Sequence, residues 1–235
     1  MHASALDLGR EFFKIYANTT GKNTQQTIID IGAQDVNGSL RSVAPADYQY
    51  IGVDFIEGKG VDVIMTDPYQ LPFPDNSADI VVCSSVFEHS EFFWELYIEI
   101  LRILKPHGVL YLCVPSNGNF HRYPVDCYRF YPDAGIGLAK WGQKKGFNTI
   151  LLESFIANQD RSQWNDFVAV FLKDKSFADN YSVRIQSSFN DYKNGLVCEN
   201  PGVFTNPAKK QEDQHGRPFK RLIQAIKREL KKRVT

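Results

Sequence analysis

Thr27-Ile28-Ile29-Asp30-Ile31-Gly32 is the stretch whose reading decides the fold: a β-branched run halted by a glycine, the pattern of a buried strand that turns tightly at its end. Working outward, Tyr50 to Phe55 repeats it and ends beside Asp54. Val61 to Met65 is a weaker strand that runs into Asp67-Pro68, and Ala78 to Ser84 (ADIVVCS) is the clearest strand of the chain. From Phe92 to Leu104 the apolar residues Phe93, Leu96, Tyr97, Ile100, Leu101 and Leu104 recur at three- and four-residue steps, which predicts a helix closed by Lys105-Pro106-His107-Gly108. Val109 to Val114 resumes as a strand, Asp133 to Lys145 reads as a helix, and Thr149 to Phe155 and Asp166 to Leu172 read as two further strands. Strands alternating with helices predict an α/β fold, a Rossmann-like doubly wound and mostly parallel sheet.

In such sheets a ligand sits beyond the carboxyl ends of the strands, where the strand order reverses. Gly32, Asp54, Asp67 and Ser84 collect at that edge. Gly32 lets backbone approach a ligand closely, and a helix expected to start near Ser39 would offer free N–H groups. An acidic side chain about 20 residues past a glycine loop can accept both ribose hydroxyls of an adenosine cofactor, the role read for Asp54. Asp67 could accept from an adenine amino group while Phe55 or Tyr69 covers the ring; Asp67-Pro68 is equally a good turn. The loop lacks the spaced glycines of a dinucleotide fingerprint, and Asp35 within it would repel a diphosphate but suit a sulfonium.

Taken together, Asp30-x-Gly32, Val53-Asp54, the stretch from Asp67 to Asp79, Phe87-Glu88-His89 and Leu101-Arg102-Ile103-Leu104-Lys105-Pro106-His107-Gly108 resemble a class I S-adenosylmethionine-dependent methyltransferase of the small-molecule type. The resemblance runs continuously from Thr27 to Pro115 and more faintly to Leu172. It implies seven strands with an antiparallel last strand, and S-adenosylmethionine lying over Gly32, with Asp30, Ala33, Gln34, Asp54, Phe55, Asp67, Pro68 and Ser84 around it. The family usually has more glycine in the first loop, so Gln34 would replace a backbone approach with a side-chain contact.

A methyl acceptor that is a hydroxyl benefits from a base, and His89, just past the fourth strand, is one candidate. A Glu-His pair at this place in the resembling family often serves the fold or the cofactor pocket instead. The segment His121-Arg122-Tyr123-Pro124-Val125-Asp126-Cys127-Tyr128-Arg129-Phe130-Tyr131-Pro132 lies within an insertion, 116–132, at the ligand edge. His121 and Asp126 are read as catalytic, Tyr123 and Tyr128 as an apolar wall for the substrate, and Arg129 or Arg122 as the holder of a carboxylate or phosphate. An aromatic lid that merely packs on the core is the alternative. The insertion resembles that of methyltransferases found with cell-surface polysaccharide synthesis, which implies a sugar or lipid-linked sugar acceptor methylated at oxygen. No metal site is expected, because His89, His121 and Asp126 do not fall at ligand spacing. Two other readings stay open: a catalytically silent S-adenosylmethionine-binding module that recruits a partner, and a nucleotide-sugar oxidoreductase.

The formal charge of zero over 235 residues conceals a segregation. Residues 209–235 hold ten Lys or Arg against Glu212, Asp213 and Glu229, so the body is about as acidic as the tail is basic. The domain plan is a methyltransferase domain over 1–175, an irregular extension over 176–216, and a basic amphipathic helix over 217–235. Phe219, Leu222, Ile223, Ile226 and Leu230 form the stripe of that helix, opposite Lys220, Arg221, Lys227 and Lys231. Such a helix would dock on the body or on a second subunit of a homodimer, or lie on an anionic membrane; nucleic-acid binding is not expected. Met1 to Tyr16 lacks the apolar stretch of a signal peptide, and four cysteines without C-x-x-C pairing read as thiols, so a cytoplasmic location is expected, with the inner membrane face as the other place the tail would take the chain.

Overall fold

The computed structural model describes residues 3–17, 25–159 and 164–208. Its elements in chain order are α1 (Ala3–Tyr16), β1 (Thr27–Ile31), β2 (Gln49–Asp54), β3 (Val63–Ile64), β4 (Ala78–Ser84), α2 (Phe93–Ile103), β5 (Leu104–Pro115), α3 (Ala134–Lys144), β6 (Ile150–Ala157), β7 (Asp166–Leu172) and β8 (Tyr192–Val197). The strands form one sheet in the order β3-β2-β1-β4-β5-β7-β6-β8. The strands from β1 to β5 pair parallel, while β7 runs antiparallel between β5 and β6.

Alternation along the central strands builds two cores. Val81 and Cys83 of β4, with Leu110 and Leu112 of β5, face α2 and α3, whose Leu96, Tyr97, Ile100 and Leu138 are buried against them. Ile80 and Val82, with Val109 and Tyr111, face the opposite side, where α1 buries Leu8, Phe12 and Tyr16. A run of consecutive apolar residues is what a sheet covered on both faces requires, and β4 is buried throughout. The helical N-terminus thus covers the sheet face that the later helices leave free.

Four expectations need correction. The sheet has eight strands, not seven, because β8 adds antiparallel to β6 within a stretch read as irregular. Asn194, at φ +51°, and Gly195 break the period-two pattern there; buried Glu153 of β6 accepts from the backbone of Ile185 and Gln186 in the turn before the strand, and Gln186 Nε2 in turn donates to the Leu196 carbonyl of β8. Lys105-Pro106-His107-Gly108 does not end the helix in a loop but begins β5, since Leu104 already pairs with Ala78, and buried Asp79 holds both Lys105 and His107. The helix expected near Ser39 is a single 3-10 turn, Leu40–Ser42, too short to act as an anion-binding helix end. The acidic first loop is not free either: Asp35 pairs with Lys59 at 2.6 Å and accepts from Gly38 N. The basic segment 217–235 lies outside the described residues. Among the described residues no helix is long and apolar enough to cross a membrane, and the four cysteines are unpaired, Cys83 and Cys113 buried, Cys127 exposed.

Candidate active site

The strand order reverses between β1 and β4, and beyond their carboxyl ends lies a cavity of about 630 Å³. Asp30, Gly32, Ala33, Gln34, Asp54 and Phe55 line it from the β1 and β2 ends, Pro68 and Ser84 from the β3 and β4 ends. Gly32 has φ +76°, and a Cβ there would come within 2.3 Å of Val86 Cγ2, so the turn admits only glycine without a shift of Val86. Gly32 and Ala33 both donate to the Val53 carbonyl, which wraps the loop over the end of β2.

Asp54 is buried at the center of this wall. Its Oδ1 accepts from the backbone of Phe55 at 2.8 Å and Ile56 at 3.3 Å, and its Oδ2 from Gln34 N at 3.2 Å. A carboxylate offers about four acceptor positions, so one remains on Oδ2, and the expected grip on two ribose hydroxyls reduces to one contact. Asp30, with Tyr50 Oη donating to it at 2.7 Å, has its pKa pushed up to about 7 by burial, against the lowering effect of the tyrosine. Asp67 is exposed and stands outside the cavity lining; its carboxylate accepts from Tyr69 N at 2.8 Å in a local turn, which corrects its assignment to the adenine.

The opposite wall comes from the 3-10 turn Phe87–His89 and from the insertion, with Glu88, His89, His121, Arg122, Tyr123 and Trp164. Tyr123 Oη donates to Gln34 Oε1 at 2.7 Å and so ties the insertion to the glycine loop. His89 Nδ1 donates to the Val125 carbonyl at 2.5 Å, which leaves Nε2 with its lone pair. Burial holds the His89 pKa below the usual range, opposed by that hydrogen bond, and the ring is neutral at pH 7. Burial also pushes Glu88 up to about 8. His121 meets His89 edge to face at 4.9 Å and Trp164 at 5.0 Å.

Asp126, Arg129 and Tyr128 are corrected in turn. Arg129 grips Asp126 with both ends of its guanidinium, at 2.6 and 2.9 Å, and this pair holds the Asp126 carboxyl down at about 2. Asp126 also accepts from His121 N at 2.7 Å, so it fixes the histidine loop and is no base toward a substrate. Arg129 spends the other donors of its two terminal nitrogens on the carbonyls of Asn119 and Tyr128, its buried Nε has no partner among the described residues, and the side chain stands outside the cavity lining, away from an acceptor anion. Tyr128 lies outside the cavity lining, its ring 4.8 Å from Phe93 and its hydroxyl on the Glu91 carbonyl. Arg122 takes the place read for Arg129: it is exposed, lines the cavity and has no ion pair among the described residues.

Against known proteins, residues 17–112 match the family described as "Methyltransferase domain". By this match the stretch is similar to a methyltransferase domain. The fold around it resembles 1,6-didemethyltoxoflavin-N1-methyltransferase of Burkholderia thailandensis, solved with S-adenosylhomocysteine, at 13% identity over 73% of this chain and 79% of that one, with a TM-score of 0.56. It also resembles an S-adenosylmethionine-dependent methyltransferase of Methanosarcina mazei, at 16% identity over 68% and 97%, TM-score 0.51. The [4+2]-cyclase SpnF shares the fold at 14% identity over 70% and 81%, TM-score 0.50, so the architecture by itself does not name the reaction. No curated protein sequence matches the chain. The matched stretch covers β1 to β5 up to Leu112 and includes Glu88 and His89, whereas His121, Arg122, Tyr123 and Trp164 belong to the part of the chain after it. Glu88 and Trp164 were not singled out as site residues: Glu88 reads as a fold residue beside His89, and Trp164 carries no local pattern.

Proposed function

We propose that the chain transfers a methyl group from S-adenosylmethionine to an oxygen of a small-molecule or glycan acceptor. The observation that carries this reading is one continuous cavity with Gly32 and Asp54 on one wall and two imidazoles on the other. The first wall fits the cofactor: a cradle that a Cβ at Gly32 would fill, and an Asp54 oxygen with acceptor capacity left. When bound, S-adenosylmethionine supplies a methyl group on a positively charged sulfur, which needs an aligned nucleophile and exclusion of water. Tyr123, tied to Gln34, closes the cavity between the two walls. His89 and His121 work on the acceptor hydroxyl, His89 through an unprotonated Nε2. Arg122 at the rim suits an anionic group such as a sugar phosphate, consistent with a role in polysaccharide synthesis.

Calorimetry with S-adenosylhomocysteine and with NAD, followed by methyl-transfer assays on hydroxyl-bearing sugars and sugar phosphates, tests the proposal. The expected result is binding of S-adenosylhomocysteine but not NAD, and label in an ether. Binding of NAD alone would turn the reading toward an oxidoreductase, and cofactor binding with no transfer to any hydroxyl would favor a silent module. The basic segment 217–235 is proposed as a contact with protein or an anionic bilayer, and its removal should abolish sedimentation with anionic liposomes at low salt if the bilayer is the target.

A further inference from the structure

Two loops that are distant in the sequence bring two histidines and a glutamate to one wall of the cavity. One donor atom from each of Glu88, His89 and His121 lies within 4.8 Å of the others. Both rings are oriented as metal-binding imidazoles are, held at one nitrogen by a backbone carbonyl. His89 Nδ1 sits on the Val125 carbonyl, so its Nε2 keeps its lone pair; His121 Nδ1 lies 3.2 Å from the Asn119 carbonyl and 3.5 Å from both Asp126 Oδ2 and Arg129 Nη2, and donation along the shortest of these, to Asn119, leaves its Nε2 lone pair as well. Glu88 adds an independent observation. It is 1% exposed, its Oε1 is 3.7 Å from His89 Nε2, and its Oε2 has no hydrogen-bond partner among the described residues although it lines the cavity. A buried carboxyl oxygen that faces a cavity with no donor of its own is a group that a cation in the cavity would satisfy.

We propose that Glu88, His89 and His121 hold one divalent transition-metal ion, at whose open position the acceptor hydroxyl binds. The proposal rests on the methyl-transfer reading above and changes how that corner acts, with a Lewis acid replacing a bare imidazole base. Two imidazole nitrogens and one carboxylate oxygen suit Zn²⁺, Mn²⁺ or Fe²⁺ better than Mg²⁺ or Ca²⁺, which prefer oxygen. Three protein ligands leave a position open, as in catalytic rather than structural sites. Bonds of about 2.0–2.2 Å place tetrahedral donors about 3.3 Å apart, a contraction that rotation of the partly exposed His121 ring can supply. At the ion the hydroxyl loses its proton to water. Its oxygen lone pair then forms the C–O bond to the methyl carbon as the C–S bond breaks and its electron pair goes to sulfur.

Full-length protein without an affinity tag, stripped with a chelator, is titrated with Co²⁺ followed by visible absorption and with Zn²⁺ by calorimetry. One ion per chain is expected, with Glu88→Gln and His121→Ala each weakening it by about 100-fold or more, and His107→Ala, at the Asp79 pair, leaving it unchanged. Failure to take up either ion, or equal affinity in both site variants, overturns the proposal. Should Glu88→Gln fail to fold, His121→Ala, on the partly exposed loop, decides alone. Calorimetry with S-adenosylhomocysteine on the stripped wild-type protein reads the underlying function separately: its failure overturns methyl transfer whatever the ion does, and its success with no ion bound overturns only the metal site.

Discussion

Replacing Asp54 by Ala removes a carboxylate that holds the loop and, in the proposed function, the cofactor as well, and the structure separates the two contributions. Three of its roughly four acceptor positions are taken by Phe55 N, Ile56 N and Gln34 N. The cofactor ribose therefore stands to lose one hydrogen bond to a charged acceptor, about 1.5–3 kcal/mol, or roughly a 10- to 150-fold weaker dissociation constant. The three backbone donors lose their acceptor as well; Gln34 N and Phe55 N are only partly buried, so the cost in stability is the smaller effect, about 1 kcal/mol. Calorimetry with S-adenosylhomocysteine, alongside a thermal melt of the free protein, reads both. Asp54→Asn keeps the shape and an acceptor for Phe55 N but turns an N–H₂ toward Gln34 N or toward the ribose, so it should bind as weakly as Asp54→Ala. Unchanged affinity in Asp54→Ala would refute the placement of the ribose here, and a loss beyond about a thousandfold would refute the single contact.

Three further outcomes follow from the same structure. Burial raises the Asp30 pKa from the ordinary carboxylate value to about 7, so its contribution to stability is fully present below about pH 4 and is lost as the pH rises to about 7; Asp30→Asn should then stabilize the free protein by on the order of 2 kcal/mol at about pH 8 and by much less at about pH 5, and equal effects at the two values would show that the group is ionized throughout. Gly32→Ala should cost about 2 kcal/mol in urea unfolding and weaken cofactor binding, because it joins a positive φ to a close contact with Val86; a neutral result would mean that Val86 moves freely. Arg129→Ala leaves buried Asp126 without its partner and should destabilize by about 3 kcal/mol, with denaturant midpoints equal to wild type counting against a structural role.

The strands were legible in the sequence because their burial leaves a local trace. A sheet covered on both faces demands consecutive apolar residues, and Ile80 to Cys83, within the wholly buried β4, shows that demand directly. The glycine after β1 and the acid at the end of β2 are likewise dictated by backbone geometry and ligand chemistry at fixed offsets, so Gly32 and Asp54 could be placed on the cavity from spacing. β8 and the start of β5 could not. Both are strands because of what they pair with, and neither Asn194-Gly195 nor Lys105-Pro106 carries a strand pattern of its own.

The charged residues of the insertion show where reading by composition stops. His121, Asp126, Tyr128 and Arg129 look alike in sequence, a polar and aromatic cluster at the ligand edge. Whether a side chain faces the cavity or another side chain depends on pairings over a few ångströms, and the structure spends Asp126 and Arg129 on each other while leaving His121 and Arg122 at the cavity wall. The sequence by itself determined the parallel α/β sheet, the position of its ligand edge and the residues at the β1 and β2 ends, because those follow from local periodicity and backbone conformation. Only the tertiary structure decided which polar groups are free to do chemistry and brought Glu88, His89 and His121 together, because those relations join loops that no spacing along the chain connects.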